Sequence, residues 1–358
     1  MKYLRIKIKP ISGICSELSS DTFFGQVIYT LDLMGKDVNK LLLYYNDYPF
    51  FVVSDFFPKG YAKTPKIPTT FNNTINVFEL TKRKAYIASL FNISKFMEEK
   101  TLYINNKTGI IDSIQITPKN DIYKVYEYET IHTKVNRYLD FKKDNDFSLN
   151  IFNEVEYFFN EDNSFYFEFY VYLNEFVEED IISAIKLIGE MGYGRKTSIG
   201  KGNYEIISID EVKFSYNEES NIYTLGKCNI SNMKNQFQDI YYTPYVKFGK
   251  HGSYTTSKMK FANPYKYPYV LADQGAILNY CKPTLFKNPF IGSNVGKISP
   301  NKNIVTQGYS LYIPFNYSES FKNSAYENFT NTNLQDNNDE HVHNSEENLI
   351  NSLENKIK

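Results

Sequence analysis

Around the fourteen residues Gly189–Gly202, GEMGYGRKTSIGKG, the hydrophobic pattern changes from one period to another, and this order limits the folds open to the chain. Upstream, Ile181, Ile185, Ile188 and Met191 fall on one face at helical spacing, and Glu178, Glu179 and Asp180 suit a helix N-terminus. Downstream, Tyr204, Ile206 and Ile209 lie in a β-branched run that reads as a strand. The order is therefore helix, glycine-rich basic loop, strand. Five glycines with Arg195, Lys196, Lys201, Thr197 and Ser198 form a stretch suited to holding phosphates, because glycine admits φ > 0 and lets backbone N–H groups approach an anion. Ending a helix needs one glycine; it does not explain the cations and hydroxyls. An ATP-type P-loop is excluded, since Arg195 stands five before Gly200 and Gly202 follows Lys201. A dinucleotide fingerprint is excluded as well, since Thr197 occupies the third glycine position and the loop leaves a helix rather than opening one.

Lys2–Lys9 alternates Leu4, Ile6 and Ile8 with Arg5, Lys7 and Lys9, a two-period strand with one core face and one cationic face. The cations could join a groove or simply be solvated. Ser20 or Asp21 is placed to cap a helix over the apolar run Phe23–Leu31. Val52, Val53 and Phe56 read as a short strand, a helix is expected near Lys82–Met97, Tyr103–Asp146 has hairpin character, and Phe165–Leu173 is a dense aromatic strand. Strand–helix–strand twice over is the split βαβ arrangement of a ferredoxin-like fold. Beyond Ile209, strands near Ile222–Cys228, Tyr241–Phe248, Tyr267–Leu278 and Tyr309–Phe315 suggest a second module of the same kind. The expected organisation is α+β: residues 1–209 with the glycine loop at 189–202, a second domain at 210–316, long β-hairpin insertions, and a disordered acidic tail at 317–358. That tail carries a net charge of −5, so the remaining body is mildly basic at +4 although the whole chain is −1. Three cysteines without paired spacing argue against a disulfide framework or zinc ribbon, and no run approaches a membrane span, so a cytoplasmic protein is expected.

The order of these features resembles the RAMP superfamily of CRISPR proteins. It is carried by the first strand, Ser20-Asp21-Thr22-Phe23-Phe24-Gly25, Ser54-Asp55 with Pro58 beyond, His132 followed by Asn136-Arg137, the loop ending Gly200-Lys201-Gly202, and Gly292-Ser293 and Gln307-Gly308-Tyr309 late in the chain. Within the superfamily it is most similar to the type III-A (Csm) effector subunit that holds the 5′ end of the guide RNA. The resemblance implies two ferredoxin-like (RRM-like) RAMP domains and three partners: the crRNA 5′ handle, the large Cas-ten subunit and the first RAMP backbone subunit. With no His-Asp dipeptide and no carboxylates clustered to bind catalytic magnesium in the sequence, a non-catalytic protein without cofactor or metal is expected. Carried over residue by residue, it places Gly192, Gly194, Arg195, Lys196, Thr197, Ser198, Gly200 and Lys201 along the RNA path, with His132, Asn136 and Arg137 on a hairpin beside it and Ser20 at the helix start.

Read on their own, further residues fit RNA. Lys250 and His251 lie in a Gly249–Gly252 segment of GXXG form, for which a hairpin turn is the simpler reading, and Tyr193 or Phe248 could stack on bases. Gly292–Lys297 lacks nucleotide-site spacing and reads as a structural or protein-contacting loop. His132 is the strongest candidate acid or base for the alternative function, a metal-independent endoribonuclease that processes precursor crRNA; no carboxylate cluster for catalytic magnesium is apparent.

Overall fold

The computed structural model describes residues 2–45, 47–66, 81, 84–99, 101–102, 104–105, 110–111, 116–134, 150–159, 164–214, 218–233, 236–251, 265–285, 290–300 and 304–317. The first half is built from β1 (Lys2–Pro10), α1 (Ser20–Leu33), β2 (Phe51–Val53), a hairpin of β3 (Val125–Lys134) and β4 (Asn150–Phe159), then β5 (Phe167–Leu173), α2 (Glu178–Met191) and β6 (Tyr204–Glu211). Its sheet runs β6-β1-β5-β2 with every neighbour antiparallel, the split βαβ order expected from the sequence. Leu4, Ile6 and Ile8 point into a core with Phe23, Phe24 and Val27 of α1 and Ile181, Ile185 and Ile188 of α2. The helices are antiparallel. Gln26 Nε2 donates to the Gly192 carbonyl (2.7 Å) at one end, and Lys36 Nζ meets Asp180 (2.8 Å) at the other.

The opposite face of β1 is not a bare cationic surface. Arg5 pairs with Asp210 (3.2 Å), Lys7 lies over the Tyr166 ring, and a cavity of about 300 Å³ beside Arg5 and Tyr170 is lined in part by Ile313 and Pro314 of the second half. The stretch expected to be one helix near Lys82–Met97 is divided, with strand Ser89–Asn92 ahead of helix Ile93–Glu99. Its residues pair on both sides, with Tyr61–Lys63 and Ile116–Pro118, so sheet pairing overrides helical spacing there.

The second half contributes β7 (Glu218–Thr224), β8 (Phe237–Tyr241), β9 (Pro244–Lys247), β10 (Tyr269–Ala272), β11 (Ile277–Leu285), β12 (Phe290–Gly292) and β13 (Tyr309–Tyr317). One sheet runs β8-β11-β7-β13-β12, and β9 pairs with β10 as a separate ribbon. No α-helix occurs among the described residues of this half, so the helices that a second ferredoxin-like module would need are not among them. Tyr317 ends β13, opposite Leu102, and so belongs to the sheet rather than to the tail expected from that residue onward. Residues 318–358 lie outside the described residues.

The two halves share a core. Tyr223, Leu225, Tyr309, Leu311 and Ile313 join the cluster that contains β1 and both helices. Gln307 completes the edge of β2 like a strand residue, accepting from the Val53 N–H (3.0 Å) and donating to the Val53 carbonyl (2.7 Å). The late glycines allow close packing within the second half: a Cβ on Gly308 would stand 2.2 Å from the Ser293 carbonyl oxygen, and one on Gly292 2.3 Å from the Gly308 oxygen.

Candidate nucleic-acid interface

The glycine loop follows α2 because Gly192 (φ 96°) turns the chain while its N–H still bonds the Ile188 carbonyl (2.7 Å). A Cβ at Gly192, Gly194 or Gly202 would meet the Lys201 carbonyl, Ser16 Oγ or the Tyr193 carbonyl at 2.3, 2.4 and 2.1 Å, so these glycines are required by packing. Gly200 has open space around it but φ 79°, and Lys196 takes the same left-handed conformation at φ 64°. The sequence reading gave the loop amides to phosphate. In the structure those of Gly192, Tyr193, Gly194, Arg195, Ile199, Gly200, Lys201 and Gly202 all bond within the protein. Charge and hydroxyls at the loop surface are left as the means of holding an anion.

Arg195 is exposed, but its guanidinium donates twice to the Cys15 carbonyl (2.7 and 3.1 Å), clamping the segment before α1. Thr197 leans its methyl towards Gly192, whereas Ser198 is exposed, so Ser198 is the hydroxyl that faces outward. Lys196 and Lys201 are half-buried against the hairpin. Lys196 Nζ lies 2.9 Å from Glu154 Oε2 and Lys201 Nζ 2.6 Å from Glu156 Oε1. This contact follows from local structure: Ile14 and Tyr157 exchange backbone hydrogen bonds, and Gly13 leaves room for the Glu156 side chain, so β4 is held over the loop. His132 is brought to the same place, with Nε2 3.4 Å from the Glu154 carboxylate that Lys196 also meets. Asn136 and Arg137 lie outside the described residues.

Other expectations are corrected. Ser20 is fully buried and is not the helix cap; its N–H donates to Asp55 and its hydroxyl accepts from the Lys227 N–H. Ser19 stands at the cap position without a side-chain capping bond, its hydroxyl donating to Asp21 instead. His251 is turned inward, buried against Ser299, and burial followed by the charge of Lys266 lowers its pKa. Tyr193 is buried too; its hydroxyl donates to the Glu17 carbonyl (2.6 Å) and accepts from the Ser19 N–H, which excludes it as a stacking platform. Lys250 remains exposed, as does Phe248 at 75 %. Lys250 faces Tyr265 across an antiparallel bridge beyond the β9–β10 ribbon, so it sits on an extended arm and not in the tight turn expected at Gly249–Gly252.

Sequence reasoning missed a charged cluster beside this surface. Lys227, 1 % exposed, is surrounded by Glu17 (3.0 Å), Asp55 (3.3 Å) and Asp273 (3.7 Å). Lys247 meets Asp21 (3.0 Å) and Thr22 (2.7 Å), and Tyr245 and Tyr269 donate to Glu17 and Asp21. Burial by itself would lower the Lys227 ammonium, but the charges of Asp55, Glu17, Asp273 and Asp21 outweigh it and hold its pKa above the ordinary lysine value. Burial would likewise raise Glu17, Asp21 and Asp273, yet their lysine neighbours hold all three below the usual carboxylate range. The signal available in sequence was a lone lysine inside the apolar run Ile222–Ile230.

These carboxyls ionise at lower pH in the folded chain than in the unfolded one. The stability they supply is complete above the unfolded carboxylate values and is lost as pH falls through their depressed folded values. The melting temperature is expected to be flat from pH 7 to about 5 and to drop below about pH 4. Glu168 acts in the opposite sense, since burial raises its pKa against the opposing Tyr170 hydrogen bond and Arg5 charge, and it favours the fold as acid is added. A melting temperature that rose steadily from pH 5 to pH 3 would contradict the cluster's role.

Among the described residues no group of His, Cys, Asp and Glu side chains is placed to hold a metal ion, and no helix is long and apolar enough to cross a membrane.

No family model and no curated protein matches the chain. Solved structures match it in fold. A chain of the Csm1–Csm4 cassette in complex with cA4 has a TM-score of 0.50 at 12 % identity, covering 89 % of this chain and 100 % of its own. The cassette with one ATP has 0.50 at 13 % identity with the same coverages, and the Csm3–Csm4 subcomplex of the type III-A CRISPR-Cas interference complex has 0.48 at 15 %, covering 88 % and 100 %. The fold is the one shared with these solved chains. The chain has a Csm4-like fold.

Proposed function

We propose that this chain is a non-catalytic, RNA-binding subunit of a type III-A (Csm) CRISPR interference complex, holding the 5′ handle of the guide RNA and docking partners of the Csm1 and Csm3 kinds. The observation that carries this reading is a Csm4-like fold matched over a whole neighbour chain, with the glycine loop presenting Lys196, Ser198, Gly200 and Lys201 at its surface. Exposed Phe248 and Lys250 in the second half supply a flat ring and a further cation of the kind that single-stranded RNA needs. The test is co-expression with Csm1- and Csm3-type proteins and a repeat-spacer RNA. The chain is expected to co-purify with both proteins and with RNA whose 5′ handle is intact; complexes that form and retain guide RNA equally well without it would refute the reading.

One arrangement favours the endoribonuclease instead, the grouping of His132, Glu154 and Lys196 at the surface. We expect neither the wild type nor His132→Ala to cleave labelled repeat RNA, while both bind it within about twofold of each other. Metal-independent products from the wild type that vanish in His132→Ala would establish the nuclease reading.

A further inference from the structure

The antiparallel helix pair has two unlike ends. The start of α1 and the end of α2 meet at the glycine loop. The end of α1 and the start of α2 lie about 20 Å away, since α1 has 14 residues rising ~1.5 Å each. At that far end five large apolar side chains are exposed: Leu33 (46 %), Leu43 (68 %), Tyr44 (63 %), Tyr48 (77 %) and Phe176 (73 %). They are held on two joined segments, since the Asn174 N–H bonds the Phe50 carbonyl and Tyr48 N–H closes a turn onto Tyr44. Folding has left them out while burying Tyr45 and Phe50 from the same stretch. Isolated exposed apolar residues are ordinary, but a group rich in aromatics is the composition of an interface centre.

The rim identifies the occupant. Asp37, Asp47, Glu175, Glu178, Glu179 and Asp180 belong to the same segments, against Lys36 and Lys40; Lys36 is paired with Asp180 and Lys2 with Glu178 (3.0 Å), which still leaves carboxylates in excess. Such a field repels nucleic acid and favours a cationic surface. We infer that this far pole docks a folded protein whose contact face is apolar and ringed by lysine and arginine, so that the chain holds RNA at one end of its helix pair and a protein subunit at the other. The inference rests on the assembly reading above, and the probes are the Csm1- and Csm3-type proteins, tested separately.

Tyr48→Ser/Phe176→Ser removes two exposed rings without opening the core, and Asp47→Lys/Glu179→Lys reverses the rim charge. Each variant, with an unchanged melting temperature, is expected to bind at least one of the two proteins about tenfold or more weakly while binding handle RNA like the wild type. Variants that bind both proteins as the wild type does would overturn the docking assignment and leave the assembly reading intact. So would a loss of RNA binding, or a wild-type dimer that the variants abolish, which would mark the face as one for nucleic acid or for a second copy. A wild type that binds neither protein would sink both readings together.

Discussion

Lys227→Met is expected to destabilise the fold by about 3 to 5 kcal/mol, the range for removing one member of a buried ion pair and leaving its partner charged. Methionine fits the volume, so the loss is electrostatic. Asp55 is the partner that decides it: the carboxylate is 5 % exposed, while Glu17 is half exposed and can turn to water. Asp55 keeps the Ser20 N–H at 2.7 Å, which is too little for a charge in that position. The double variant Lys227→Met/Asp55→Asn removes the stranded charge and should recover at least half of the loss, a coupling measured by a double-mutant cycle in urea. Additive effects of the two changes would mean that Lys227 is not held by Asp55. Since Glu17 also reaches Tyr245 and its carbonyl accepts from Tyr193, the single variant should in addition loosen the segment 11–19 that supports the glycine loop.

That cluster also marks where sequence reading stops. Periodicity placed β1, α2 and the strand after the loop, because each buries one face against a single layer and the pattern of Leu4, Ile6 and Ile8 or of Ile181, Ile185 and Ile188 records it locally. The glycine positions were legible too, but their work was misassigned: spacing cannot tell whether an amide faces an anion or the Gly13 carbonyl. Asp21, Asp55, Lys227 and Lys247 come from four separate segments, and only the closed fold puts them together. The same holds for Glu154 and Glu156. On a strand they look like solvated charges, and they become partners of the loop lysines only through the bridge between Ile14 and Tyr157.

Lys196→Ala/Lys201→Ala should weaken binding of single-stranded handle RNA by about thirtyfold, and the pairing with the hairpin explains both the size and the companion result. A charge-assisted bond supplies about 1.5 to 3 kcal/mol when desolvated, and discounting these partly exposed lysines to about 1 kcal/mol each gives about 2 kcal/mol in total. With most loop amides bonded internally, little else in the loop can compensate. In the free protein Glu154 and Glu156 already hold the two ammonium groups, so a phosphate must take their place. Glu154→Gln/Glu156→Gln keeps the side-chain shapes and removes that competition, and it should tighten the same RNA several-fold. The two double variants therefore move affinity in opposite directions. For the lysine variant the slope of log affinity against log salt should become shallower by about 1.4, two phosphate contacts at ~0.7 each for a single strand. Titrating labelled RNA between 50 and 200 mM salt, roughly the span over which such contacts are felt, measures both quantities. An unchanged slope in the lysine variant would mean that the loop cations serve only to anchor the hairpin, and the RNA path would then have to be sought on the ribbon that carries Phe248 and Lys250.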